Sequence, residues 1–210
     1  KARVMDRIRL ILLGRTGEED SSYTDGYFAY PKISLGSQEV YIDGGAYIGD
    51  TAEEFVKVNE ENRLEYRHIY SFDPDPQNYE KALANLEQYD NIDVFPYGLW
   101  SSKKELKFTN DKESSSYVGV ENEENAIIIP VVSLDEFFAE KPTDEWPTII
   151  KMDIEGSEKE ALIGSTKVIR EKKPQLMICA YHKPEDIYEL PQTIQKIRSD
   201  YKMELWQIGE

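Results

Sequence analysis

Apolar and polar positions along this chain follow two alternating periods. Short apolar runs end in polar turns: Val40–Ile42, Ile69–Phe72, Ile92–Phe95, Ile149–Ile154, Gln175–Ala180 and Lys202–Ile208. Between them lie longer stretches with apolar residues three or four apart. Tyr79, Leu83 and Leu86 form one such set, and Ala161, Leu162, Val168 and Ile169 another. Runs of four to eight apolar residues predict buried strands, and the 3.6 spacing predicts amphipathic helices. Strand and helix patterns in strict alternation predict a parallel sheet with crossover helices.

Three regions depart from that alternation. Residues 2–13 carry Val4, Ile8, Ile11 and Leu12 at helical spacing, which predicts an amphipathic helix ended by Gly14. Residues 18–39 are polar and aromatic, with Tyr23, Tyr27, Phe28 and Tyr30, and are expected to lie over the core as a cap. Between residues 104 and 132 three short β-like runs, 105–109, 115–120 and 126–132, predict a small antiparallel insertion, with 111–116 as a mobile loop. A cap over residues 1–39 and one domain over 40–210 are the expected organisation.

Helix starts are readable from local chemistry. Asp75 and Pro76 suit the N-cap and first position of a helix. Thr51 with Glu54, and Ser157 with Glu160, have the spacing of capping boxes.

Composition narrows the function. A formal charge of −16 over 210 residues repels nucleic-acid phosphates and anionic membranes. No apolar run approaches the roughly 20 residues of a membrane span, and no signal peptide is evident. Cys179 is the one cysteine, and with only His68 and His182 beside it no structural zinc site is expected. These features predict a soluble cytoplasmic protein with a small-molecule partner. They give no oligomeric state.

The chemistry centres on Asp43-Gly44-Gly45-Ala46-Tyr47-Ile48-Gly49-Asp50-Thr51, a strand end, a glycine turn and a helix start. Glycine lets backbone approach closely, and the helix start offers free N–H groups. The G-x-G-x-x-G spacing of dinucleotide folds fails in both registers. What stands is D-x-G-x-x-x-G, which resembles the first motif of class I S-adenosylmethionine (SAM) methyltransferases.

Further stretches extend that resemblance. F-D-P-D-P, G-L-W-S-S, V-V-S-L-D-E-F, I-K-M-D-I-E-G-S-E and Y-H-K-P-E-D occur in the order of FkbM-type SAM-dependent methyltransferases, across residues 40–190. The resemblance implies an α/β, Rossmann-like class I sheet, SAM as cofactor, and O-methylation of a hydroxyl on a sugar or other small molecule. A catalytically inactive SAM-binding or regulatory module is the alternative. The class's antiparallel seventh strand is not visible after Lys202–Ile208. An Arg-His-Tyr-like stretch common near the family's C-terminus is replaced here by Glu204-Leu205-Trp206-Gln207.

Ligands of open α/β sheets bind outside the carboxyl ends of the strands. Residues Asp43 to Thr51 (Ile48 apart) are thus expected at the cofactor, and Asp73 with Pro74 at its ribose. Turn capping is the bland alternative for Asp43, and an N-cap role, which Asp75 already serves, is that for Asp73. The resemblance implies that Tyr97, Gly98 and Leu99, after the third strand, lie near the adenine. Lys151, Asp153 and Glu155 alternate out of one strand and so share a face. Together with His182 they are the candidate catalytic set, with Asp153 also at the cofactor. Asp153, Glu155 or His182 is the expected base, and a charge cluster fixing the strand end is the alternative role. No metal is required, although Asp153, Glu155 and Glu158 have oxygen donors that suit Mg²⁺.

Overall fold

The computed structural model describes residues 7–13, 26–28, 33–109, 117–118 and 126–208. Strand β1 is Arg7–Leu13, β2 Val40–Gly44, β3 His68–Phe72 and β4 Ile92–Phe95. Helix α1 (Asp50–Glu61) joins β2 to β3, and α2 (Pro76–Leu86) joins β3 to β4. Then come β5 (Gly98–Leu99), β6 (Lys104–Thr109), β7 (Tyr117–Val118), β8 (Ala126–Val132) and α3 (Leu134–Phe137). Strand β9 is Ile149–Met152, followed by α4 (Glu158–Ile163), α5 (Thr166–Lys172), β10 (Gln175–Cys179), α6 (Asp186–Ile197) and β11 (Lys202–Ile208).

Seven strands form the main sheet in the order β11-β1-β10-β9-β2-β3-β4. The five from β10 to β4 are parallel, and β1 runs antiparallel to both β10 and β11. Apolar clusters cover both faces. Ile42, Phe72, Ile150, Met152 and Leu162 lie in one cluster, and Tyr41, Phe55, Ile69, Ile149 and Met177 in the other. Burial on both faces explains why these strands read as continuous apolar runs.

The helix expected at residues 2–13 is corrected. Residues 7–13 are a strand, with Leu10 opposite Ile178 on one side and Leu205 on the other. Spacing alone cannot separate a short buried strand from a helix, and here pairing with distant strands decides. This N-terminal strand supplies the antiparallel member that the resemblance implies beyond the sixth strand. The Glu204–Gln207 stretch lies in β11, at the sheet's far end from β2 and β3.

The expected insertion is present: β6 pairs antiparallel with β8 and β7, and β5 joins β8 in parallel. The loop at 111–116, and Tyr23 and Tyr30, fall outside the described residues.

Asp75 caps α2 as expected, accepting from the Gln77 and Asn78 N–H groups. Neither capping box forms. Gly49 is the N-cap of α1, and Ser157 caps α4 without a side-chain hydrogen bond. Glu54 instead accepts from the backbone N–H of Tyr27 (3.2 Å) and Phe28 (2.9 Å), tying the N-terminal segment to α1. Glu160 takes the Ser101 hydroxyl at 2.7 Å.

Candidate active site

The strand order reverses between β2 and β9, and a crevice is expected at such a point. A cleft of about 660 Å³ lies there. Gly45, Tyr47, Asp50, Thr51, Asp73, Pro74, Gly98, Leu99, Lys151, Asp153 and Glu155 line it, all of them expected from the sequence.

The glycine turn is shaped by the protein itself. Gly45 has φ +74°, and a Cβ there would stand 1.9 Å from the Asp153 carbonyl oxygen. The absent side chain therefore lets the end of β9 approach β2, which brings Asp153 beside the turn. Gly49 has φ +87° and packs on Leu86, so its place is between α1 and α2 rather than in the cleft.

Asp73 closes one side of the cleft, at the end of β3. Its carboxylate accepts from the backbone N–H of Tyr47 (2.8 Å) and Asp75 (3.0 Å). Burial raises its pKa, and these donors offset only part of that, leaving it at about 6. Holding these turns does not exhaust it, because an ionised carboxylate has about four acceptor positions.

Lys151 and Asp153 form the other side. Lys151 is fully enclosed, with Nζ 3.0 Å from Asp43 Oδ1 and donating to the Gly45 carbonyl at 2.7 Å. Burial works against its charge, but Asp43 and Asp153 outweigh it and keep the ammonium protonated. Asp153 accepts two phenol hydrogen bonds of 2.6 Å, from Tyr27 to Oδ2 and from Tyr181 to Oδ1. Burial would raise its pKa, yet Lys151, the two phenols and His182 bring it down to about 2.

Strand β9 stops at Met152, two residues short of the run expected to reach Ile154. Asp153 and Glu155 face the cleft together because the chain turns there: Glu155 has φ +54° and Gly156 +86°. A left-handed non-glycine residue costs roughly 1–3 kcal/mol, and such strain gathers at functional positions.

His182 stands behind this wall and does not line the cleft. Its side chain is 2% exposed. Nδ1 is 3.0 Å from Glu158 Oε1, and Nε2 is 3.3 Å from Glu155 and 3.5 Å from Asp153. These are charge contacts rather than aligned hydrogen bonds. Burial would lower its pKa, but Glu155 and Glu158 raise it to about 10, so the imidazole is a cation at neutral pH. The carboxylates of Asp153, Glu155 and Glu158 thus converge on His182. Among the described residues no His, Cys, Asp and Glu group of three or more is arranged to hold a metal ion.

The family model for the methyltransferase FkbM domain matches residues 43–202. The chain belongs to the FkbM methyltransferase family. It is 28% identical to an FkbM methyltransferase of known structure from Methylobacillus flagellatus, with a TM-score of 0.66 over 84% of this chain and 42% of that one. It is 25% identical over 138 residues to the hexuronic acid methyltransferase AglP of Haloferax volcanii, covering 65% of this chain and 54% of the relative. This FkbM chain therefore spans about half the length of the relatives it matches.

Of the remaining residues expected at the site, Asp43 lies beneath the turn as partner of Lys151, and Ala46 is buried. Gly44, Gly49, Tyr97 and His182 do not line the cleft either. Trp100, Ile129 and Val131 come to its wall from the insertion side. Tyr27 and Tyr181 also line the cleft. Tyr181 has no local signal apart from its place beside His182, and Tyr27 is one aromatic among several in the cap, where packing is the commoner role.

The donor set fits SAM. Lys151 and His182 bring two positive charges to this wall, against Asp43, Asp153, Glu155 and Glu158. A wall with excess negative charge suits a sulfonium and an ammonium, and opposes a pyrophosphate.

Proposed function

We propose that this FkbM protein is a SAM-dependent methyltransferase that O-methylates a hydroxyl of a sugar or other small molecule. The observation that carries the reading is the pair of carboxylates on either side of the glycine turn. In this reading Asp73 accepts from the ribose hydroxyls and Asp153 faces the methionine end. Bound SAM supplies an electrophilic methyl group. The resemblance to a hexuronic acid methyltransferase supports a sugar-like acceptor. The N-terminal strand β1 supplies a seventh strand to the sheet, which weakens the inactive-module alternative.

An alcohol must lose its proton as the methyl arrives, and a positioned base contributes roughly 10²–10⁴-fold to such a step. Asp153 holds two phenol donors and is a weak proton acceptor. His182 is protonated and shut behind the wall. Glu155 lines the cleft with its side chain 46% exposed, and is the group left to take the proton. His182 and Lys151 act on the carboxylates rather than on the acceptor.

Transfer of labelled methyl from SAM to a panel of glycosides and small alcohols tests the activity. Glu155→Gln is expected to lower turnover about 10²–10⁴-fold with SAM affinity nearly unchanged. Full turnover in that variant means positioning alone accounts for catalysis. SAM binding with no transfer to any acceptor would favour the inactive module.

A further inference from the structure

Tyr27 belongs to the N-terminal segment, far in sequence from the strand ends that make the cleft, yet it touches the centre of the site. It is 7% exposed, and its hydroxyl donates to Asp153 Oδ2 at 2.6 Å. The Lys151 ammonium sits over its ring, 5.2 Å from the centroid. Its position is fixed from behind. Glu54 holds the backbone of residues 27 and 28, and Phe28 packs against Tyr41 and Phe55. On the other oxygen of Asp153 the Tyr181 hydroxyl makes a matching bond. Two phenols from separate segments therefore clamp one carboxylate.

The clamp sets where the carboxylate points and what it still accepts. Each oxygen receives one phenol, and an ionised carboxylate has about four acceptor positions. Donors on the ionised form also hold the negative charge in place. Across the sheet, Asp73 stands at the end of β3, Gly45 after β2 and Asp153 after β9. Two strand spacings, about 10 Å, separate the outer two. A ligand with its ribose on Asp73 that crosses the glycine turn brings its far end to Asp153.

We propose that Tyr27 is a positioning residue for the cofactor: with Tyr181 it aims the Asp153 carboxylate at the ammonium of the cofactor's amino-acid end. This rests on the SAM reading above. It makes the N-terminal segment part of the cofactor site rather than a cover over it.

The test compares two ligands by calorimetry at neutral pH. S-adenosylhomocysteine carries the amino-acid end, and 5′-methylthioadenosine keeps the adenosine thioether without it. Tyr27→Phe retains the ring and removes only the hydroxyl. It is expected to weaken S-adenosylhomocysteine roughly tenfold and to leave methylthioadenosine within about twofold, because the loss falls on a hydrogen bond to a charged group. Tyr181→Phe is expected to show the same selectivity. Equal losses for both ligands would mark Tyr27 as merely structural and overturn the proposal. So would unchanged binding of both. A parent protein that binds neither ligand overturns the cofactor reading itself, and this inference with it.

Discussion

Asp73 and Asp153 end neighbouring parts of one sheet and line one cleft, yet they ionise very differently. Asp73 meets backbone N–H groups of its own turns and rests at about 6. Asp153 meets two phenols, with Lys151 and His182 close by, and rests at about 2. Both are desolvated, so burial does not separate them. The difference lies in charge: neutral donors recover part of the desolvation, whereas nearby cations reverse it. One carboxylate can respond to ordinary pH, and the other stays an anion throughout.

Removing the cation is the most disruptive way to erase that difference. Lys151→Met leaves Asp43 buried without its charged partner, an arrangement that costs about 3–5 kcal/mol. Denaturant unfolding at neutral pH is expected to show a loss of that size. A variant as stable as the parent would mean that Lys151 is not what keeps the two carboxylates apart.

A smaller effect is expected at the ribose side. Asp73→Ala removes a charged hydrogen-bond acceptor and should weaken SAM by about 1.5–3 kcal/mol, read by calorimetry on folded protein. Parent-like affinity would return Asp73 to turn capping alone.

The smallest effect is a pH dependence. The Asp73 carboxyl is ionised above about 6 in the free protein and neutral below it. SAM binding that uses the ionised form is therefore lost as pH falls through about 6, with a roughly twofold loss at that midpoint. The sign for folding is opposite. A raised carboxyl pKa means the native state binds the proton more tightly, so this group's contribution to stability declines as pH rises from 3.8 to about 6. Affinities measured between pH 5 and 8 should show the acid limb in the parent and not in Asp73→Asn.

Much of this site was legible because its signals are local. The D-x-G-x-x-x-G turn, Asp73 after β3 and the Lys151–Glu155 run each announce a strand end. Their reasons were less legible. Gly45 looked open for a ligand, but the Asp153 backbone fills the space where its Cβ would stand. Glu54 had capping-box spacing and instead holds residues 27 and 28. His182 looked like a free base until Glu155 and Glu158 closed around it. Each of these depends on residues distant in the chain, which local periodicity does not register.

The position of β1 has a consequence for the protein's synthesis. It lies between β10 and β11, so Leu10 pairs with Leu205, very far along the sequence. While the protein is being made, β1 leaves the ribosome well before both of its neighbours. Until they emerge, its backbone hydrogen-bonding groups have neither strand to pair with, and unpaired edges invite association with other chains. Contacts this remote in sequence form slowly, because a long loop must close first. Completion of the sheet thus waits until β10 and β11 return to close around a strand made long before them.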